Sequence, residues 1–208
     1  MKLYTSKTPT FIRYLYPERL WRVETAKKEL YLTFDDGPIP KITPWVLGQL
    51  EQYNAKATFF CIGENARKYA EILQHVIDRG HRIGNHTQHH LNGWKTRHKT
   101  YLQDVKDAEA YLPLGEEKLF RPPYGKMTSA QANKVKDQDY KIVMYDVVSG
   151  DFDASISQLK CYSNVIRKAQ NGSIIVFHDS LKAEKHLRYT LPKILRYYND
   201  LGFRFKSL

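Results

Sequence analysis

The sequence predicts an α/β domain on a parallel sheet, either barrel-like or doubly wound. Two observations carry this. Short apolar runs alternate with amphipathic segments along almost the whole chain. The unusual polar residues recur where those apolar runs end, which is where parallel α/β folds place their sites.

The elements follow in order. Residues 1–29 are basic and aromatic, with Pro9 and Pro17, and read as a lead-in that caps the domain formed by 30–208. Leu30–Phe34 reads as a buried strand, and Thr43–Tyr53 as a helix with Val46, Leu47 and Leu50 on one side. Ala55–Ile62 is a strand. Asn65–Arg79 is an amphipathic helix, apolar at Tyr69, Ile72, Leu73, Val76 and Ile77 and stopped by Gly80. A short strand at Arg82–Gly84 runs into a His-rich stretch. Tyr101–Tyr111 is helical, Leu119-Phe120 is extended, and Ser129–Lys136 is helical. Lys141–Val148 reads as one strand, Ile156–Ala169 as a helix, and Ser173–Phe177 as the most apolar strand. His186–Leu201 is the last helix and Phe203–Phe205 the last strand. No repeat, low-complexity tract or linker marks a second domain.

Composition sets limits. The chain has 208 residues, 42% hydrophobic and 26% charged, as expected of a globular core rather than a disordered chain. Lys and Arg total 33 against 22 acidic residues, a net charge of +11 that favours anionic partners. The basic residues are spread out and are not interleaved with a stacking platform, which argues against a nucleic-acid binder. The two cysteines, Cys61 and Cys161, are expected as buried thiols rather than a disulfide. No run approaches a membrane span, and Met1 to Tyr16 lacks the apolar core of a signal peptide, so a cytoplasmic location is the expectation. Asn85-His86-Thr87 and Asn171-Gly172-Ser173 then match glycosylation sequons by chance.

The first strand runs into Asp35-Asp36-Gly37-Pro38. Two carboxylates at a strand end before a turn are badly placed for burial and well placed to face a metal or a substrate. His86 and His90 stand at i and i+4, which on a helical turn puts both rings on one side. One carboxylate with two imidazoles leaves a fourth position for water, the arrangement of catalytic zinc. His89 is the weaker candidate by its angle. Arg121-Pro122-Pro123-Tyr124-Gly125 is a rigid turn. Its arginine suits bidentate pairing with a carboxylate, and its Tyr124 N–H is free to face an oxyanion. His178-Asp179 ends the most apolar strand, a place for a general acid or base.

Together these stretches resemble the polysaccharide deacetylase family, the metal-dependent carbohydrate esterases with the NodB-type domain. The resemblance rests on Thr33 to Pro38, Gly84 to His90, Phe120 to Gly125, Asp146 to Asp153 and Val176 to Asp179. It implies a distorted (β/α) barrel with fewer than eight units. It implies hydrolysis of the acetamide of N-acetylglucosamine-type sugars in a glycan, with Asp35 as base and with Asp36, His86 and His90 holding zinc (cobalt or nickel could substitute). Arg121 would orient Asp35, Tyr124 would offer its N–H, and Asp151 would support His178 as acid. Pro123, Tyr124, Trp94 and Phe152 would line the substrate site, although core packing is the more ordinary role for Trp94. The family usually has Asp-Trp where this chain has Asp151-Phe152, and Leu-x-His where it has Val176-Phe177-His178, which bears on pocket shape. Two other readings remain at this point: a cyclic imide or ureide amidohydrolase, and a non-catalytic binder of an anionic polymer.

Overall fold

The computed structural model describes residues 5–208, so the first four residues of the lead-in lie outside it. Helix α1 (Thr10–Leu15) precedes strand β1 (Glu29–Asp35), then α2 (Ile42–Glu51), β2 (Ala57–Cys61), α3 (Gly63–Lys68), α4 (Ala70–Asp78) and β3 (Arg82–Asn85). There follow α5 (His98–Ala108), β4 (Lys118–Phe120), α6 (Ser129–Lys136), β5 (Tyr140–Ile142) and β6 (Val147–Val148). The chain ends with α7 (Gln158–Ile166), β7 (Ile174–His178), α8 (Glu184–Asp200) and β8 (Arg204–Phe205).

Every strand pair is parallel, in the order β5-β4-β3-β2-β1-β7-β6, with β8 beside the start of β1. Strands β5 and β6 stand at opposite ends of this order yet are consecutive in the chain. Ile142 and Val147 are five residues apart, a reach of at most about 18 Å. Seven flat strands at about 4.8 Å spacing would hold them about 29 Å apart. The sheet must therefore curl into a distorted, partly closed barrel, and the expected strand 141–148 is broken because its middle crosses the seam.

The lead-in lies against that seam. Leu20 bridges Val143, Lys7 bridges Val147, and Arg22 bridges Ser173. Backbone bonds from Thr8 N–H to Asp146 C=O, Leu20 N–H to Ile142 C=O, and Met144 N–H to Leu20 C=O occupy edge groups that would otherwise be unpaired. Asp146 is buried and anchors the segment through Lys7 at 3.3 Å and the Ser173 hydroxyl at 2.6 Å.

The main core lies between the sheet and helices α2, α4, α7 and α8, and includes Leu32, Phe34, Leu47, Phe59, Phe177 and Leu191. Phe34 stacks between Phe59 and Phe177 of the neighbouring strands. The expected helix 65–79 is two helices, divided at Tyr69, whose φ of −125° and ψ of 47° are not helical. Ala66 of the first half and Leu73 and Val76 of the second all join the main core. Cys61 and Cys161 are buried and free. Among the described residues no helix is long and apolar enough to cross a membrane.

Candidate active site

The site assembles at the C-terminal ends of β1, β3, β4 and β7. Asp35 is the last residue of β1 and lies beside His178, the last of β7. The chain then turns through Asp36, in the left-handed region at φ 83°, into a cis Gly37–Pro38 bond.

His86 and His90 are not on a helix, contrary to the sequence expectation. The segment after β3 is an irregular turn in which Thr87 and His90 have φ of 66° and 57°. Its backbone is committed elsewhere. The first N–H groups of α3, from Gly63 and Glu64, take the carbonyls of Thr87 and Gln88, as a helix start needs acceptors. The Asn85 side chain takes the Thr87 N–H, and Asp104 takes the backbone N–H of His89. This turn still places the His86 and His90 rings 5.0 Å apart, while His89 is drawn outward to Asp104 at 2.6 Å.

Asp36, His86 and His90 offer ligand atoms that all lie within 4.8 Å of one another. Asp36 Oδ1 is buried and lacks an aligned hydrogen-bond donor, with His90 Nε2 at 3.2 Å and His86 Nε2 at 3.8 Å. His86 Nδ1 lies 2.7 Å from the Arg121 carbonyl. A carbonyl only accepts, so Nδ1 carries the proton and the bare Nε2 faces the carboxylate. Burial pushes the His86 imidazole down to about 4 despite Asp35 and Asp36, so the ring is neutral. Burial also opposes charge on Asp36, but contact with His90 and the rings of His178 and His86 hold its pKa far below the carboxylate range. A carboxylate oxygen and a neutral nitrogen lone pair facing one another call for a cation, and the set suits a divalent metal.

Asp35 and His178, on the paired ends of β1 and β7, each have a buried partner. Arg121 Nη1 meets Asp35 at 2.7 Å. The pair is not bidentate as expected, because the other guanidinium donors serve Thr33 Oγ1 and the carbonyls of Val143 and Met144. Asp151, in the turn after β6, accepts both the backbone N–H and ring Nδ1 of His178, each at 2.8 Å. The ring proton therefore sits on Nδ1 and leaves Nε2 for chemistry. Burial opposes the imidazolium, but Asp151, with lesser help from Asp36 and Asp35, raises the His178 pKa to about 9.

Of the remaining expected residues, Tyr124 and Phe152 touch the site histidines. Pro123 is buried, and the next residue, Tyr124, has a φ of 60° and sets its ring 4.6 Å from that of His90. The turn's own bonds, Gly125 N–H to Pro122 and Lys126 N–H to Pro123, flank the Tyr124 N–H. Phe152 sets its ring edge-on to His178 at 5.1 Å. Trp94 is not in the core: it is 64% exposed. Its backbone N–H is held by Asn92 and its indole N–H by the Met127 carbonyl. Sequence reasoning gave Asn65 no role, and gave Asp179 one only as a fallback partner for His178; both bond instead to the turn after β1.

A parallel, partly closed barrel with an Asp-His-His cluster, a buried Asp–Arg pair and a buried His–Asp pair defines a metal-dependent hydrolase class. A family model described as polysaccharide deacetylase matches residues 22–143, and the chain belongs to that family. It is 33% identical over 191 residues to a peptidoglycan-N-acetylglucosamine deacetylase of Bacillus cereus, covering 90% of each chain. It is also 33% identical over 162 residues to a chitooligosaccharide deacetylase of Azorhizobium caulinodans, covering 76% of this chain and 77% of that one. A crystal structure of a peptidoglycan N-acetylglucosamine deacetylase in complex with a naphthalenyl N-hydroxybenzamide superposes with a TM-score of 0.84 at 32% identity. It covers 97% of this chain and 95% of its own. The curled parallel sheet and family expected from the sequence are thus both found.

Proposed function

We propose that this protein removes N-acetyl groups from N-acetylglucosamine-type residues of a glycan, releasing acetate and leaving a free amine. The observation that supports it most is the orphaned Asp36 Oδ1 facing two imidazole nitrogens, next to Asp35 and His178 on the paired ends of β1 and β7. The relatives named for peptidoglycan and chitooligosaccharides support an N-acetylated glycan as substrate.

Asp36, His86 and His90 would hold the ion, zinc being the best match to a mixed N/O set. When bound, zinc supplies Lewis-acid polarisation of the acetamide carbonyl and acidifies the attacking water. Asp35, held in place by Arg121 at 2.7 Å, accepts the proton of that water as its oxygen bonds to the carbonyl carbon. The Tyr124 N–H donates to the oxyanion of the tetrahedral intermediate. His178, protonated beside Asp151, delivers its Nε2 proton to the departing nitrogen, because an amide anion is a very poor leaving group. Acetate and the amine result.

The test is acetate release by zinc-loaded protein from chitooligosaccharides and from peptidoglycan fragments. Acetate from at least one is expected. Silence on both, with zinc bound, would sink the reading.

A further inference from the structure

One peptide unit in the site is gripped at both ends. The Asp36 carbonyl accepts from Asn65 Nδ2 at 2.7 Å, and the N–H of the same peptide bond, that of Gly37, donates to Asp179 Oδ1 at 3.1 Å. Asp179 is fully buried, and its other oxygen accepts from Thr43 Oγ1 at 2.5 Å. Thr43 in turn accepts the Ile39 N–H at 2.8 Å, tying the start of α2 to the same carboxylate. The Gly37 carbonyl takes the Ile62 N–H. The fit is tight enough that a Cβ on Gly37 would lie 2.0 Å from Asp179 Oδ2.

These bonds surround a residue in an unfavourable conformation. Asp36 is a non-glycine residue at φ 83°, a region that persists only where the surroundings over-determine it. A right-handed or extended φ there would rotate the Cα–Cβ direction and carry the carboxylate away from His86 and His90.

We propose that Asn65 and Asp179 are positioning residues that clamp the Asp36–Gly37 peptide from opposite sides and so aim the Asp36 carboxylate at the two imidazoles. The clamp rests on the metal site proposed above. It acts through the backbone: Asn65 reaches from α3 and Asp179 from the end of β7, and each touches the peptide next to the ligand. Partners that orient a metal ligand commonly affect affinity by about 10- to 100-fold.

The experiment measures the zinc dissociation constant of the apo protein by competition with a chromophoric chelator. Wild type, Asn65→Ala, Asp179→Ala and Asp179→Asn are compared, with urea unfolding of each apo protein alongside. Asn65→Ala and Asp179→Ala are expected to bind zinc about 10- to 100-fold more weakly. Asp179→Asn keeps an oxygen for the Gly37 N–H and should recover most of the loss. A purely structural role would lower apo stability and leave the zinc constant unmoved. Asn65 is only part-buried, so its variant carries the test alone if Asp179→Ala does not fold. Folded Asn65→Ala within about threefold of wild type would overturn the clamp and leave the metal site standing. A wild type that binds no zinc would remove the metal site and the clamp together.

Discussion

Arg121 Nη1 and Asp35 Oδ1 are 2.7 Å apart in the barrel interior, with side chains 1% and 6% exposed. The guanidinium lies over the Phe60 ring and spends its remaining donors on Thr33 and the carbonyls of Val143 and Met144. It thus ties β1 to the segment that crosses the seam. Burial lowers the Arg121 pKa, opposed by Asp35. Arg121→Met strands a buried carboxylate and two carbonyls. It should cost about 3–5 kcal/mol in urea unfolding, the usual loss on halving a buried pair. A loss under about 1 kcal/mol would mean that water replaces the guanidinium without penalty.

Asp35→Asn separates base from ligand. The amide keeps one acceptor for Arg121 but cannot take the water's proton. Zinc content should match wild type while acetate release falls at least about 100-fold. Near-normal turnover would remove Asp35 from the chemistry.

His178 sets the alkaline limb of the rate profile. Its pKa is raised from 6.5 to about 9, with burial opposing and Asp151 overcoming it. The acid must be protonated, so the rate should fall as pH rises toward 9, or somewhat earlier once a cation offsets Asp36. The same shift has a stability consequence. A raised folded-state pKa contributes stability that is complete below 6.5 and is lost as pH rises through about 9. Asp151→Asn should move the limb to lower pH and shrink this stability change, with zinc content unaltered. An unmoved limb at full rate would exclude the pair from catalysis.

The sequence carried β1, β2 and β7 well because each is a largely apolar run. Phe34, Phe59 and Phe177 stack across neighbouring strands, and such burial on both faces leaves little room for another reading. The clustering of a carboxylate with His86 and His90 was legible from residue type and spacing, with the choice of Asp36 coming from the family resemblance, though the helical turn expected there is absent. The Thr87 and Gln88 carbonyls cap α3, a long-range requirement that i, i+4 counting does not contain. The break in 141–148 was hidden likewise, since Val143 and Met144 stay buried while their carbonyls turn to Arg121. Trp94 read as core because exposed indoles are uncommon, and the bonds that hold it outward come from Met127 and Asn92.

Asp146 tests the role of the lead-in. Its carboxylate is buried and meets Lys7, Arg13 and Ser173. Asp146→Ala should destabilise the protein by about 3 kcal/mol and raise hydrogen exchange in residues 6–8 and 146–148, which pair across the seam. Unchanged exchange there would show that the backbone bridges hold the lead-in unaided.

Trp94 is proposed to act on binding rather than on chemistry. Its ring is exposed, yet its indole N–H donates to the Met127 carbonyl and its backbone N–H to Asn92, so little conformational freedom remains to be lost on contact with a ligand. Gly93 permits this, because a Cβ there would lie 2.7 Å from the Lys126 carbonyl. The Lys126 ammonium sits 5.0 Å from the indole centroid, a contact that a sugar ring can exchange for its own C–H face. Lys126 follows Tyr124 by two residues, and the Tyr124 ring lies 4.6 Å from that of His90, which connects the indole to the site through one short turn. A contact made equally in the ground and transition states affects KM and not kcat. Trp94→Ala should therefore raise KM for oligosaccharides about tenfold, roughly 1.4 kcal/mol of stacking, with kcat within about twofold. The monosaccharide should be affected less if the ring contacts a neighbouring sugar. A fall in kcat at unchanged KM would place Trp94 in the reaction itself, and equal losses on monomer and oligomer would place the contact on the acetylated sugar.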